Sequence, residues 1–192
     1  QNIVLRWISQ ADLPALYADL VAADLGQSGA STLADITACP GTDTCKLGIS
    51  SSRGRAAELR QRIIARNGAL DASVKPLNVK ISGCFNSCGQ HHIADIGFYG
   101  VSRKVGNHAV PHFQVVLGGQ SADNAGAYGL STVAIPSKRI PEVMTRLTDL
   151  YAKERQDGET FQAFIKRTGK ARLRSLLEDL TRVPAYTEDR SY

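Results

Sequence analysis

The placement of the four cysteines constrains the fold of this chain more than any other feature. They form two close pairs, Cys39 with Cys45 and Cys84 with Cys88, and a long segment separates the pairs. Four thiolates are the number that a [4Fe-4S] cluster or an all-cysteine zinc site requires. If the four act together, the fold has to bring two distant loops to one place.

The spacing within each pair bears on which metal could bind. The pairs are C-x5-C and C-x3-C, whereas structural zinc is usually held by tighter turns such as C-x2-C. Wider loops suit a cluster whose irons lie apart, so the spacing favours an iron–sulfur cluster over zinc. Cysteines with no shared role are the third interpretation open at this point.

The thiols are expected to be reduced rather than paired in disulfides. No signal-peptide pattern precedes them, and the chain opens on QNIVLRWI, which we interpret as interior sequence of a longer protein. No apolar run approaches the roughly 20 residues of a membrane span. We therefore expect a cytoplasmic protein with no membrane partner.

Both cysteine pairs are predicted to follow β-strands. Residues 33–38 form a short apolar stretch that ends at Cys39, and residues 77–81 alternate as a strand that ends before Cys84. The remaining pattern predicts a strand at 1–8, with Ile3, Leu5 and Trp7 on one face, helices at 9–26, 53–67, 141–155, 159–168 and 170–180, two paired strands at 93–101 and 113–119, and a long loop at 120–131.

The chain is basic, with a formal net charge of +5 and a pI of about 9.1. Arginine and lysine cluster at residues 53–66 and 166–174. Few aromatic residues accompany them, which argues against a base-stacking surface and hence against nucleic acid as a partner. An acidic partner protein or an anionic cofactor fits the charge better, and a solvated helix surface is the alternative.

Other chemistry is weakly supported. His91 and His92 follow Cys88 closely, but neighbours on a strand point to opposite faces, so the pattern favours a structural role over joint metal binding. The sequence offers no Ser/His/Asp triad, P-loop or GxGxxG motif.

The cysteines belong to a wider pattern. The second pair lies in G-C-x-N-x-C-G at residues 83–89, followed by A-D-I-G at 94–97 and L-G-G at 117–119. Together with C-x5-C, this pattern resembles the C-terminal half of the sirohaem-dependent nitrite and sulfite reductase haemoproteins. The resemblance covers roughly residues 1–170, including Gln1 and Asn2 at the start and the helical segment 151–169.

The resemblance implies ligands for two cofactors. The residues matched to a [4Fe-4S] cluster are Cys39, Cys45, Cys84 and Cys88. The residues matched to sirohaem are Asn86, Cys88, Gly118 and Gly119. The sulfur of Cys88 would bind both the cluster and the sirohaem iron, and the two glycines would let the backbone approach the macrocycle closely. Phe85 stands where proline is commoner, which would alter the stiffness of the loop without removing a ligand.

The implied activity is a six-electron reduction, because nitrite nitrogen goes from +3 to −3 and sulfite sulfur from +4 to −2. The stretches N-S-C-G-Q and A-D-I-G-F favour nitrite. The family's cationic substrate groups lie mainly in its N-terminal half, so no catalytic residue is assigned here and the chain alone is expected to be inactive. That half and a ferredoxin-like or flavoprotein electron donor would be its partners. The alternative is a non-catalytic iron–sulfur or zinc module for electron transfer or protein contact.

The resemblance also implies the fold. It is an α+β fold in which a mixed sheet has flanking helices. Residues 1–33 would be part of a ferredoxin-like half-domain and residues 34–170 the cluster- and sirohaem-binding domain. Residues 171–192 lie beyond the resemblance, and their own pattern predicts a C-terminal helix and tail.

Overall fold

A computed structural model describes residues 3–122 and 126–192. Gln1 and Asn2, which contribute to the resemblance, lie outside the described residues. The chain forms two compact units, Gln1–Ala30 and Ser31–Tyr192. The helices are α1 (Leu13–Ala22), α2 (Ser52–Arg66), α3 (Ile140–Glu154) and α4 (Phe161–Leu177), and the strands are β1 (Thr37–Ala38), β2 (Val79–Ser82), β3 (Ile96–Val105), β4 (His108–Leu117) and β5 (Leu130–Pro136).

The first unit contains α1, which begins after a turn closed by a hydrogen bond from the Asp12 N–H to the Ser9 carbonyl. The strand predicted for residues 1–8 is wrong over its described part, because residues 3–8 form no strand. Trp7 is 98% exposed and has a positive φ of 62°. The backbone groups of a strand need a neighbouring strand to pair with, and the described residues of this unit offer none.

The second unit is built on a five-stranded sheet in the order β1-β2-β3-β4-β5. The first three strands run parallel, and β3, β4 and β5 pair antiparallel. Parallel neighbours need a crossover, and α2 lies in the connection from β1 to β2. The sheet is therefore mixed, and with its helices it confirms the predicted α+β class.

Helices and strands share one apolar core. The helices are amphipathic, so the residues at helical spacing in α2, α3 and α4 are buried and meet alternate residues of the strands. The N-terminus of α4 is capped by Thr160, whose hydroxyl accepts the Ala163 N–H at 3.3 Å. Among the core residues are Leu59, Ile63, Phe98, Val115, Ile135, Val143, Leu147 and Phe164.

Two local differences from the sequence prediction stand out, and the predicted break between the last two helices is confirmed. The β3–β4 strands continue through the polar stretch expected to be a connection, and the chain turns only at Gly106 and Asn107. Gly106 has a φ of +57°, which glycine adopts without strain. β5 occupies the end of the predicted loop and the residues after it. α4 contains a non-helical Gly169, so it is two helical segments, as expected at 159–168 and 170–180.

The second unit extends to the end of the chain. Leu173, Leu177 and Leu180 are buried in the same core as the sheet. The division at residues 33 and 170 remains a prediction. None of the helices in the described ranges has the length and apolar character needed to cross a membrane.

Candidate metal centre

The parallel strands β1 and β2 place the first cysteine of each pair at the same end of the sheet, just beyond the carboxyl ends of the two strands. Ala38 at the end of β1 is in register with Ile81 of β2, and Cys39 directly follows Ala38. The Cys39 N–H donates to the Ile81 carbonyl at 3.1 Å, which extends the β ladder by one residue. Since β2 ends at Ser82, Cys84 leaves the sheet at the same end. The sequence prediction that both pairs follow strands is therefore confirmed.

Backbone contacts at Gly83 join the two cysteine loops. Its N–H donates to the Cys39 sulfur at 3.1 Å, and its carbonyl accepts the N–H groups of Ile49 and Ser50 at 2.9 and 3.0 Å. A Cβ at Gly83 would lie 2.5 Å from the Gly41 Cα, so only glycine fits. The loop of the first pair is thus held directly against the loop of the second.

The four thiols are free and differ in exposure. Cys39 and Cys84 are buried, whereas Cys45 and Cys88 are exposed. Across residues 3–122 and 126–192, no three His, Cys, Asp or Glu side chains form a group that could hold a metal ion. The donor set nevertheless fits a [4Fe-4S] cluster in number and chemistry, and binding would order the exposed thiols.

The loop of Cys88 is compact and turns sharply. Ser87 and Gln90 both have a φ of 60°, and the Gln90 N–H donates to the Ser87 carbonyl at 2.7 Å. Asn86 and Cys88 are exposed on this loop, and Phe85 is 67% exposed. Two of the residues matched to sirohaem, Asn86 and Cys88, therefore present their side chains outward, where a second group can reach them.

His91 and His92 lie in a short 3-10 turn instead of a strand, and their rings are 4.0 Å apart. The expectation that they point to opposite faces is therefore wrong. His91 is fully buried beside Tyr99, and its Nδ1 lies 2.8 Å from the Ser82 hydroxyl. Burial lowers its pKa to about 4, and the neighbouring His92 adds to this effect. The ring is consequently neutral near pH 7.

Gly118 and Gly119 lie where the chain leaves β4. Their N–H groups donate to the carbonyls of Asp95 and Ala94 at 2.8 and 2.9 Å, and Gly118 has a φ of +74°. A Cβ at Gly119 would lie 2.2 Å from the His92 carbonyl oxygen. The backbone angle at Gly118 and the close packing at Gly119 thus explain both glycines without a cofactor, and their approach to sirohaem remains a prediction.

Asp95 organises the other side of this turn. One carboxylate oxygen accepts the backbone and side-chain N–H groups of Asn78, and the other accepts from Gln162 at 2.7 Å. Burial raises the pKa of Asp95, and the hydrogen bonds from Asn78 and Gln162 oppose that rise. Gln162 lies on α4 and also donates to the Gly119 carbonyl at 3.2 Å. Its two hydrogen bonds therefore hold the A-D-I-G segment and the Gly119 turn against α4.

Sequence reasoning did not find Ser52, Ser82 or Gly41. Ser52 begins α2, is fully buried, and donates to the Cys39 carbonyl at 2.7 Å. Ser82 accepts the Gly89 N–H at 3.0 Å. A serine within S-S-S or I-S-G looks like any surface serine, and only the fold places these hydroxyls beside the cysteine loops.

A mixed α+β domain in which two cysteine loops begin at the carboxyl ends of neighbouring strands and contact each other is a candidate iron–sulfur redox domain. The family model described as "Nitrite and sulphite reductase 4Fe-4S domain" matches residues 29–184, and the chain belongs to that family. Membership implies a [4Fe-4S] cluster and sirohaem.

Curated relatives include enzymes named sulfite reductase and enzymes named nitrite reductase. The chain is 34% identical to the Mycobacterium tuberculosis "Sulfite reductase [ferredoxin]", over 91% of this chain and 32% of the relative. It is 27% identical to the Haloferax mediterranei "Assimilatory ferredoxin-dependent nitrite reductase", over 69% and 22%. The chain thus spans about a third or less of the length of these relatives.

Solved structures agree with the fold. The Mycobacterium tuberculosis NirA protein superposes with a TM-score of 0.72 at 33% identity, over 87% of this chain and 31% of that one. The dissimilatory sulfite reductase I matches with a TM-score of 0.62 at 13% identity, over 91% and 59%, which shows likeness of fold alone.

Proposed function

We propose that this chain is the cluster- and sirohaem-binding part of a reductase that converts nitrite to ammonia or sulfite to sulfide. The observation that best supports this proposal is the contact between the two cysteine loops at the carboxyl ends of β1 and β2, where the Gly83 N–H donates to the Cys39 sulfur. Family membership supports the cofactors, and the names of the relatives support both substrates. When bound, the two groups store electrons and bind the substrate anion.

The proposed cluster ligands are Cys39, Cys45, Cys84 and Cys88. Two of these thiols are buried and two exposed, so the cluster would lie between the sheet edge and the outer loops. Cys88 would also bind the sirohaem iron, with Asn86, Gly118 and Gly119 beside the macrocycle. The exposure of Cys88 and Asn86 supports this assignment, because a bridging sulfur must be open to both groups.

The electron donor is proposed to be a ferredoxin-like protein in the cytoplasm, with a flavoprotein as the alternative. Several relatives carry ferredoxin in their names. The positive net charge of this chain would attract an acidic donor. The rest of the enzyme, which corresponds to the N-terminal half of the relatives, would supply the cationic groups around the substrate anion.

The proposed substrate preference rests on the resemblance of two stretches, one in the second cysteine loop and one at the start of β3. The stretches N-S-C-G-Q and A-D-I-G-F favour nitrite, so we propose nitrite as the preferred substrate. Steady-state rates with each anion, using the full-length enzyme and a reduced donor, test this preference. A higher kcat/KM for sulfite would contradict it.

The first test is made on the full-length protein under anaerobic conditions. We expect sirohaem absorption bands together with about four irons and labile sulfide for one cluster. Cys88→Ser should break the coupling between cluster and sirohaem, seen as altered optical and EPR spectra. Ser102→Ala, an exposed serine of β3, is the control and should leave both spectra unchanged.

Two outcomes would contradict the proposal. Iron and sulfide without sirohaem bands would indicate a non-catalytic electron-transfer module. Zinc, or no metal at all, would mean that the four cysteines have another role and that the reductase proposal is wrong.

A further inference from the structure

The Cys39 sulfur lies in a dry and polar environment. The side chain is 6% exposed, so water is largely excluded. The Gly83 N–H donates to the sulfur at 3.1 Å, and the Ser52 hydroxyl oxygen lies 3.5 Å away.

Ser52 is held firmly in this position. It is fully buried at the first turn of α2, and its hydroxyl donates to the Cys39 carbonyl at 2.7 Å. A Cβ at Gly41 would lie 2.2 Å from the same oxygen, so the loop closes tightly over the hydroxyl. The serine therefore contacts both the backbone and the sulfur of one residue.

The Ser52 hydroxyl lies within reach of two acceptors on Cys39, the carbonyl oxygen at 2.7 Å and the sulfur at 3.5 Å. A neutral thiol can donate to the serine oxygen while the hydroxyl donates to the Cys39 carbonyl. A metal-bound thiolate has lost that proton and can only accept. Hydrogen bonds to a charged acceptor are roughly twice as strong as neutral ones. The hydroxyl is thus expected to turn from the carbonyl to the sulfur when Cys39 binds the cluster.

We propose that Ser52 raises the reduction potential of the cluster by donating a hydrogen bond to the Cys39 thiolate. Reduction adds negative charge to the cluster and its sulfurs, so a donor aimed at a ligand sulfur stabilises the reduced form. Exclusion of water strengthens the effect, because no solvent replaces the donor. The inference rests on the proposed function, since Cys39 must be a cluster ligand.

The test is an anaerobic redox titration of the cluster in the full-length enzyme, followed by EPR. Ser52→Ala should lower the ratio of reduced to oxidised cluster at a fixed potential by about tenfold, or about 59 mV for a one-electron couple. Ser52→Thr keeps the hydroxyl and should restore the wild-type midpoint. Ser50→Ala is the matched control, because Ser50 is equally buried but donates to the His112 carbonyl instead.

The outcomes separate this inference from the proposed function. An unchanged midpoint in a fully loaded Ser52→Ala enzyme would overturn the role of Ser52 and leave the reductase proposal intact. Loss of the cluster in Ser52→Ala, with normal loading in Ser50→Ala, would also overturn it, because Ser52 would then be a structural requirement. A wild-type protein without a cluster would instead refute the proposed function.

Discussion

His91 illustrates how a single residue supports the Cys88 loop. The Ser82 oxygen accepts the Gly89 N–H at 3.0 Å and lies 2.8 Å from the Nδ1 of His91. The same hydroxyl oxygen therefore joins the backbone of the Cys88 loop to the imidazole. Nε2 is buried and has no partner within the described residues. His91 thus fixes, through Ser82, the residue that follows Cys88.

The lowered pKa of His91 predicts a loss of stability in acid. The folded pKa is about 4, below the ordinary 6.5, because burial disfavours the charged ring. Between these values the unfolded chain binds more protons, so the stabilising contribution is complete above pH 6.5 and is lost as the pH falls towards 4. We expect the urea midpoint of the cofactor-free chain to fall over this range, and His91→Gln to flatten that dependence.

Two other buried groups, His112 and Asp95, also contribute to the pH dependence of stability. Burial also lowers the pKa of His112, so His112→Gln is the comparison variant and should remove a separate part of the slope. The raised pKa of Asp95 acts with the opposite sign, because its contribution is lost as the pH rises. An acid slope that is identical in His91→Gln and the wild type would show that His91 does not carry it.

At the level of secondary structure, Gly169 separates the two halves of α4. Its φ of 76° and ψ of 156° lie in a region that is almost exclusive to glycine. A Cβ would meet no atom within 4 Å, so backbone strain alone opposes a side chain. We predict that Gly169→Ala lowers the free energy of unfolding by roughly 1 to 3 kcal/mol, measured by urea denaturation.

Gly68→Ala is the matched control for this prediction. Gly68 also has open space around its Cα, but its φ is not in the left-handed region. Its substitution should change the free energy of unfolding by less than about 0.5 kcal/mol. Equal effects at Gly68 and Gly169 would contradict the assignment of strain to the break in α4.

The elements that the sequence predicts well are those with a buried stripe. The helix predicted at 53–67 is α2, Ser52–Arg66, because Ala56, Leu59 and Ile63 recur at helical spacing on its buried face. The outer half of β3 is mostly exposed and polar. The outer half of β4 buries only Val110 and His112, on either side of Pro111, so no apolar alternation marks it, and the pairing of the inner halves extends the hairpin. β5 was missed because its short sequence follows a glycine-rich stretch and ends at a proline.

The candidate site also has features that the sequence predicts and features that it does not. The placement of the cysteine pairs after strands could be predicted, because strand ends and ligand spacing are local properties of the sequence. The hydrogen bonds of Ser52 could not, because Ser50, Ser51 and Ser52 look alike until α2 turns one of them towards Cys39. Side-chain partners that are distant in sequence depend on packing, which no spacing rule reveals.

Across the second unit, the C-terminal segment is tied to the rest of the core. Arg146 of α3 binds both carboxylate oxygens of Asp179, at 2.6 and 2.8 Å, and donates to the Leu176 carbonyl. Leu177 and Leu180 are buried against the same core that supports the sheet. The core beneath the sheet that carries the cysteine loops therefore depends on residues that lie far from those loops in the sequence.

This dependence predicts the effect of removing residues 171–192. The deletion would take away three buried leucines, Leu173, Leu177 and Leu180, each contributing roughly 1.5 to 3 kcal/mol. Their sum approaches the whole stability of an ordinary domain, about 5 to 15 kcal/mol. We expect the second unit to lose its cooperative unfolding transition, measured by circular dichroism during urea denaturation.

A shorter deletion separates loss of the core from loss of the tail. Removing only residues 189–192 leaves all three leucines in place but removes the Tyr192 hydroxyl that accepts a hydrogen bond from Arg139 at 2.7 Å. That variant should unfold cooperatively, with a midpoint only slightly below that of the wild type, because it loses a partly buried hydrogen bond and no core side chain. If the chain that ends at residue 170 also unfolded cooperatively at the wild-type midpoint, residues 34–170 would be a complete domain and the terminal leucines would be dispensable to its core.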